Sequence, residues 1–177
     1  FDAEKRRTTG KVALDAYPGL LIQACQLRPE SRGTIHISSA DPNVHPSIVP
    51  NYLRDSLDQQ TIIAGIRLAQ KVAQQPALRP YVREQTIPSG QIQTAAEILD
   101  FCRATGNPIY HSVGTCKMGA NSDETAVVDS NLRVLGMEHL RVVDASVMPR
   151  LISGNTNAAT IMLAEKGADI IKANTYD

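Results

Sequence analysis

The stretch L-R-V-V-D-A-S-V-M-P-R-L-I-S-G-N-T-N-A-A-T-I-M-L-A-E-K-G-A-D-I-I, residues 140–171, decides the fold. It opens on a short apolar run, breaks at Asp144, wanders through Pro149 and Gly154, and then settles into helical periodicity. Leu-Arg-Val-Val reads as a strand, and the helix begins within S-G-N-T-N-A-A-T. Asp144 closes that strand, where side chains in an open α/β sheet often meet a ligand. Asn155, Thr156 and Asn157 open the helix, whose first backbone N–H groups lack internal partners. Such an end favours a negative charge, whether a phosphate or a reduced, anionic ring. Ordinary N-capping by Asn or Thr explains one of these three residues, but not all of them.

Upstream lies Y-H-S-V-G-T-C-K-M-G, residues 110–119, which follows neither a helical nor a strand period. Gly114 permits close backbone approach of a ligand or another segment, and Thr115 offers a short hydrogen-bonding side chain. His111 is a candidate for moving a proton near neutral pH, and from these residues alone a histidine bonded to a carbonyl fits equally well. Two other chemistries use the same residues. His111, Cys116 and His139 are conceivable metal ligands, but their spacing matches no familiar zinc pattern. Cys116 or Ser112 with His111 would make a hydrolase, but neither a nucleophile elbow nor an orienting carboxylate accompanies them. His36, His45 and His139 read as solvated or locally bonded.

Between these segments, A-V-V-D-S-N-L-R-V-L-G-M-E-H-L-R-V-V-D-A-S suggests two short strands around a turn at Gly136. Two helices are expected earlier. The first pairs Ser56 with Gln59 as a capping box, carries Ile62, Ile63, Ile66 and Val72 on one stripe, and stops before Pro76. The second is signalled by Thr94 with Glu97, runs through Ile98, Phe101 and Cys102, and ends at Gly106. Residues 19–27 and 33–39 read as strands joined by a polar turn, with Ile35 and Ile37 sharing one face. The proline-rich S-A-D-P-N-V-H-P-S-I-V-P that follows reads as an extended, irregular connection. Strands and helices without steady alternation imply an α+β fold with an antiparallel sheet and flanking helices.

Composition narrows the function. Eighteen basic residues balance eighteen acidic ones and Trp is absent, so neither the electrostatics nor the stacking surfaces of a nucleic-acid binder are present. No apolar run approaches a membrane span. Cys25, Cys102 and Cys116 are odd in number and lack a C-x-x-C pair, which suits a reducing compartment. The chain starts at Phe1 and reads as a piece of something longer.

The blocks His-x-x-Gly-Thr-x-x-Met, Leu-Arg-Val-x-Asp-Ala-Ser and Ser-Gly-Asn-x-Asn, in that order, resemble the C-terminal part of the glucose-methanol-choline oxidoreductase family. The earlier L-R-P-E-S-R-G-T-I-H-I-S-S-A-D-P-N-V-H-P-S-I-V-P-N-Y-L is similar to the start of the same region. Within the family the wording is most like choline dehydrogenase and related bacterial alcohol dehydrogenases. The resemblance is weakest over residues 1–17 and 77–100. It implies an enzyme that oxidises an alcohol to a carbonyl by passing a hydride to FAD. On it, His111 and Asn155 match catalytic positions, and Asp144 and Ala145 match residues beside the ribityl and pyrophosphate region. Asn155, Thr156 and Asn157 match the helix start near the flavin ring. It further implies that residues 1–139 belong to a substrate-binding region. Residues 140–177 would then supply the closing strand and helix of a flavin-binding α/β domain. The Gly-x-Gly-x-x-Gly run that binds the ADP half of FAD in this family is absent, so the partner expected for this chain is the N-terminal FAD-binding part of the same polypeptide, along with a small alcohol substrate. The expected location is the cytoplasm, up to the periphery of the inner membrane. The competing reading is a binding module that keeps the fold and has lost the cofactor half.

Overall fold

The structure is a computed structural model that describes Thr9, residues 17–88, Gly90 and residues 92–173. Two strands, β1 (Thr34–His36) and β2 (Ser47–Val49), are followed by three helices: α1 (Ser56–Ala73), α2 (Ala95–Thr105) and α3 (Asn157–Ala173). Short 3-10 turns lie at Arg79–Tyr81 and Ala145–Val147. The architecture is α+β with an antiparallel two-stranded sheet, as the pattern of elements implies.

The strand pairing differs from the sequence reading. β1 pairs with β2, in the register Thr34↔Val49, Ile35↔Ile48 and His36↔Ser47. Residues 19–27, expected as the partner strand, form none. β2 lies inside the proline-rich segment expected to be irregular. Pro46 and Pro50 flank it just outside the paired residues, where a missing N–H costs no ladder bond. Gly33 is required at the edge of this pair, because a Cβ there would stand 2.4 Å from the Val49 carbonyl oxygen.

Helix α1 starts one residue differently from its expected cap. Asp55, not Ser56, is the N-cap, and its carboxylate accepts from the Leu57 N–H at 2.8 Å. Gln59 turns back to donate to the Leu53 carbonyl at 2.9 Å. Helix α2 carries the expected box: Thr94 accepts from the Glu97 N–H, and Glu97 accepts from the Thr94 N–H. Gly106 caps it by donating to the Cys102 carbonyl at 2.8 Å. The two helices pack together, with Ile98 fully buried between them and their neighbours.

The apolar core sits downstream. Val128, Leu132 and Val147 form its centre, with Met118, Val127, Val134, Val142, Val143 and Leu163 packed around it. Helix α3 reaches this core closely at Gly167, where a Cβ would lie 2.4 Å from Val143 Cγ1. The two strands expected around Gly136 are reduced to bridges at Val128↔Val134 and Arg133↔Arg141. Backbone bonds still fold the segment back on itself, Val134 N–H to Leu140 O at 3.0 Å and Val142 N–H to Leu132 O at 3.1 Å. Gly136, at φ +77°, makes the turn. The strand expected at Leu140–Val143 is therefore a single bridged residue with flanking bonds.

Candidate active site

His111 lies between two residues in the left-handed region, Tyr110 at φ +59° and Gly114 at φ +89°. A non-glycine residue there carries strain of about 1–3 kcal/mol. Gly114 is needed for its φ and not for space, since an added Cβ would make only an ordinary 3.5 Å contact with the Met148 carbonyl oxygen.

After the turn, the motif is clamped from both sides. Cys116 and Met118 donate to the carbonyls of Ser146 and Val147 at 3.0 and 2.9 Å. Val127 donates to Lys117 O at 2.8 Å, and Gly119 donates to Val128 O at 3.0 Å. Lys117 pairs with Asp123 at 2.6 Å and also donates to Thr125 at 2.6 Å. The Lys117 ammonium and the Thr125 donors hold the Asp123 carboxyl at about 2. Lys117 therefore closes the 117–125 loop, a structural duty.

The decisive contact joins the two sequence blocks: His111 Nδ1 lies 3.0 Å from Thr156 Oγ1. Thr156 is buried, at 8% exposure, immediately before α3. Its carbonyl accepts both the N–H and the hydroxyl of Thr160, each at 2.9 Å. Asn155 and Asn157 flank it with exposed side chains. Because α3 begins at Asn157, Asn155 stands one residue outside the flanking position, and the capping account of Asn155 loses its geometry. Asp144 is exposed and accepts from both the N–H and the hydroxyl of Ser146, which shapes the Ala145–Val147 turn. That arrangement leaves the second carboxylate oxygen as an acceptor.

His111 and Thr156 are thus brought together, with Asn155 and Asn157 next to Thr156 in the chain. Asp144 and Ala145 are tied in through the turn that carries the Cys116 and Met118 bonds. Other combinations are not assembled. No group of three His, Cys, Asp or Glu side chains comes together among the described residues, so His111, Cys116 and His139 do not form one. The His111 ring meets a hydroxyl at Nδ1, not the orienting carboxylate of a hydrolase.

The chain matches the model of the GMC oxidoreductase family over residues 29–164. It belongs to that family. Mitochondrial choline dehydrogenase of Mus musculus is 46% identical over 148 residues, 84% of this chain and 25% of that protein. The alcohol dehydrogenase (acceptor) of Pseudomonas putida is 44% identical over 153 residues, 86% of this chain and 27% of that protein. Among solved structures, an FAD-dependent oxidoreductase from Chaetomium thermophilum superposes with a TM-score of 0.77 at 30% identity. That match covers 85% of this GMC chain and 26% of the other. The chain thus spans about a quarter of the length of the curated relatives it matches.

Two residues of this GMC chain that sequence reasoning missed support the site from upstream. Arg28 Nε donates to Ser153 Oγ, which fixes the loop leading to Asn155. Asp58, 2% exposed, accepts from the N–H groups of Glu30 and Ser31 at 2.9 and 2.8 Å and from Gln26 at 3.2 Å. It thereby fastens the 26–31 loop that carries Arg28. Burial pushes the Asp58 carboxyl up, but donors from Ser31, Glu30 and Gln26 outweigh it and hold it below its ordinary value. Nothing local in the sequence separates Asp58 from a solvated carboxylate in the first turn of a helix.

Proposed function

We propose that this chain is the C-terminal, substrate-binding part of an FAD-dependent enzyme that oxidises a primary alcohol to an aldehyde. The observation that carries the reading is the 3.0 Å contact between His111 and Thr156, which sets the one histidine of the motif at the start of α3. The residues also suit the cofactor chemically. The first turn of α3 holds no acidic side chain, so its N–H groups favour an anionic ring, and Asp144 keeps an acceptor for a ribityl hydroxyl.

FAD, when bound, supplies the acceptor for the hydride that leaves the carbinol carbon. His111 accepts the hydroxyl proton as that hydride departs, so the alcohol loses two electrons and two hydrogens and becomes the aldehyde. Asn155 donates its amide to the oxygen as negative charge grows there. Asp144, Ala145, Thr156 and Asn157 line the cofactor side.

In this reading residues 140–177 belong with the cofactor domain and 1–139 with the substrate. The division is one of role, since the core around Val128, Leu132, Val147 and Leu163 draws on both. The remaining partner is the rest of the polypeptide, which would cover the exposed Ile35, Ile48 and Val49 of the β1–β2 pair and Ile37 just beyond β1. Free thiols at Cys25, Cys102 and Cys116 support a reducing, cytoplasmic setting.

The test is His111→Ala in the full-length flavoenzyme, with flavin bleaching followed by stopped flow. Reduction should slow by roughly a hundred- to ten-thousand-fold, the scale of a lost acid/base group. Yellow, flavin-loaded protein should still be recovered, and reduction at the wild-type rate defeats the reading.

A further inference from the structure

We propose that Thr156 is a positioning residue for His111: its hydroxyl engages Nδ1, so that Nε2 is the nitrogen presented to the substrate. The inference rests on the acid/base reading of His111 above and adds to it which nitrogen works and what selects it.

The contact is held from both ends. On the Thr156 side, the residue is buried, and its carbonyl is fixed by two bonds from Thr160. Its β-branched side chain has few rotamers with which to leave the ring. On the His111 side, the segment that follows is anchored by the bonds from Cys116 and Met118 to the Ser146 and Val147 carbonyls.

A threonine hydroxyl suits the task chemically. When it accepts from Nδ1–H, the neutral ring keeps its lone pair on Nε2, the form a base requires. After Nε2 takes a proton, Nδ1–H still donates to the same oxygen, so the bond survives the step without rearrangement. A carboxylate in the same place would orient the ring as well. It would also add negative charge beside a site where the substrate oxygen and the acceptor both become more negative, which opposes hydride transfer. A neutral orienting group avoids that conflict. The competing role for Thr156, capping α3, would use the same oxygen on the helix N–H groups, whereas here that oxygen faces the imidazole at 3.0 Å.

The experiment uses the full-length flavoenzyme with Thr156→Val, Thr156→Ala and Thr156→Ser, each scored for flavin reduction and for the His111 tautomer by 15N imidazole NMR. Thr156→Val removes the hydroxyl at near-constant shape, and Thr156→Ala covers the case in which the valine variant fails to fold. Both should reduce flavin roughly tenfold more slowly, which corresponds to about 1.4 kcal/mol, within the range for one lost hydrogen bond. Saturation should be reached at an unchanged substrate concentration, and the His111 signal should move from the Nδ1–H tautomer toward Nε2–H. Thr156→Ser should restore both rate and tautomer. A wild-type tautomer and rate in the Val and Ala variants, with only the melting temperature lowered, assigns Thr156 to capping and overturns the proposal. Failure of Ser to restore the tautomer overturns it as well. These outcomes are separate from a wild-type rate in His111→Ala, which would overturn the acid/base reading itself.

Discussion

Upstream of His111 the described residues bury one apolar side chain, Ile98, and one carboxylate, Asp58. Downstream, Val128, Leu132, Val147, Met148, Thr156 and Gly167 are all buried. The upstream region is held by caps, a helix pair and a polar clamp, and it leaves Ile37 88% exposed and Ile48 62% exposed. The downstream region is held by a core assembled from loops, bridges and one helix. The difference shows that regular secondary structure and burial are separate properties in this chain. The segment with the fewest strand assignments is the better packed, and it carries the proposed catalytic residues.

If the site depends on downstream chemistry and not on downstream stability, Asn155 should reveal it. Asn155→Asp is nearly isosteric and exposed, so the melting temperature should stay unchanged. The new carboxylate opposes charge growth on the substrate oxygen, and a loss of about 2–4 kcal/mol in transition-state stabilisation is expected. Asn155→His should retain measurable turnover. Stopped-flow rates for Asp equal to those for Asn would break the assignment.

The polar clamp upstream is tested next. Asp58→Ala removes the shared acceptor of three part-buried donors, two of them backbone N–H groups, and the chemical denaturation midpoint of the full-length enzyme should record a loss of about 2–3 kcal/mol. The Asp58 pKa is lowered on folding. Its contribution is therefore complete above the unfolded value near 3.8 and is lost as pH falls through the folded value. Acid titration of Asp58→Asn should lack that component, and an identical acid profile would show that the clamp does not carry the region.

The smallest effect concerns packing downstream. Gly167→Ala gains helix propensity of about 1 kcal/mol, but it forces a methyl against Val143 and Leu132 at a typical cost of about 1–3 kcal/mol. A net loss of about 1 kcal/mol is expected by thermal denaturation. A gain would mean that the core yields easily and is no tighter than the upstream helices.

How much was legible follows the same division. Helix α2 was readable because Thr94, Glu97 and Gly106 act within a few residues, and α3 because its periodicity is local. The cap of α1 slipped by one residue because Asp55 and Ser56 are equally good caps on sequence grounds. The pairing of β1 was misassigned because residues 19–27 have the apolar content of a strand. Ala24 instead lies against α1, where a Cβ on Gly65 would stand 2.7 Å from it. The downstream core could not be foreseen from periodicity, since the Met118↔Val128 bridge is parallel and the carbonyls of Ser146 and Val147 complete it from further along. His111 and the helix start were marked as functional from motif and resemblance. That they touch, across 45 positions, required the fold.

The Arg28–Ser153 bond joins residues 125 positions apart. Closing a loop of that length costs about 2 kcal/mol more in chain entropy than closing one of about ten residues. An exposed side-chain bond returns only about 1 kcal/mol. This bond therefore cannot draw the two regions together. It forms once the 26–31 loop and the segment before α3 have already been brought close by other contacts, and it acts as a latch on an arrangement made elsewhere.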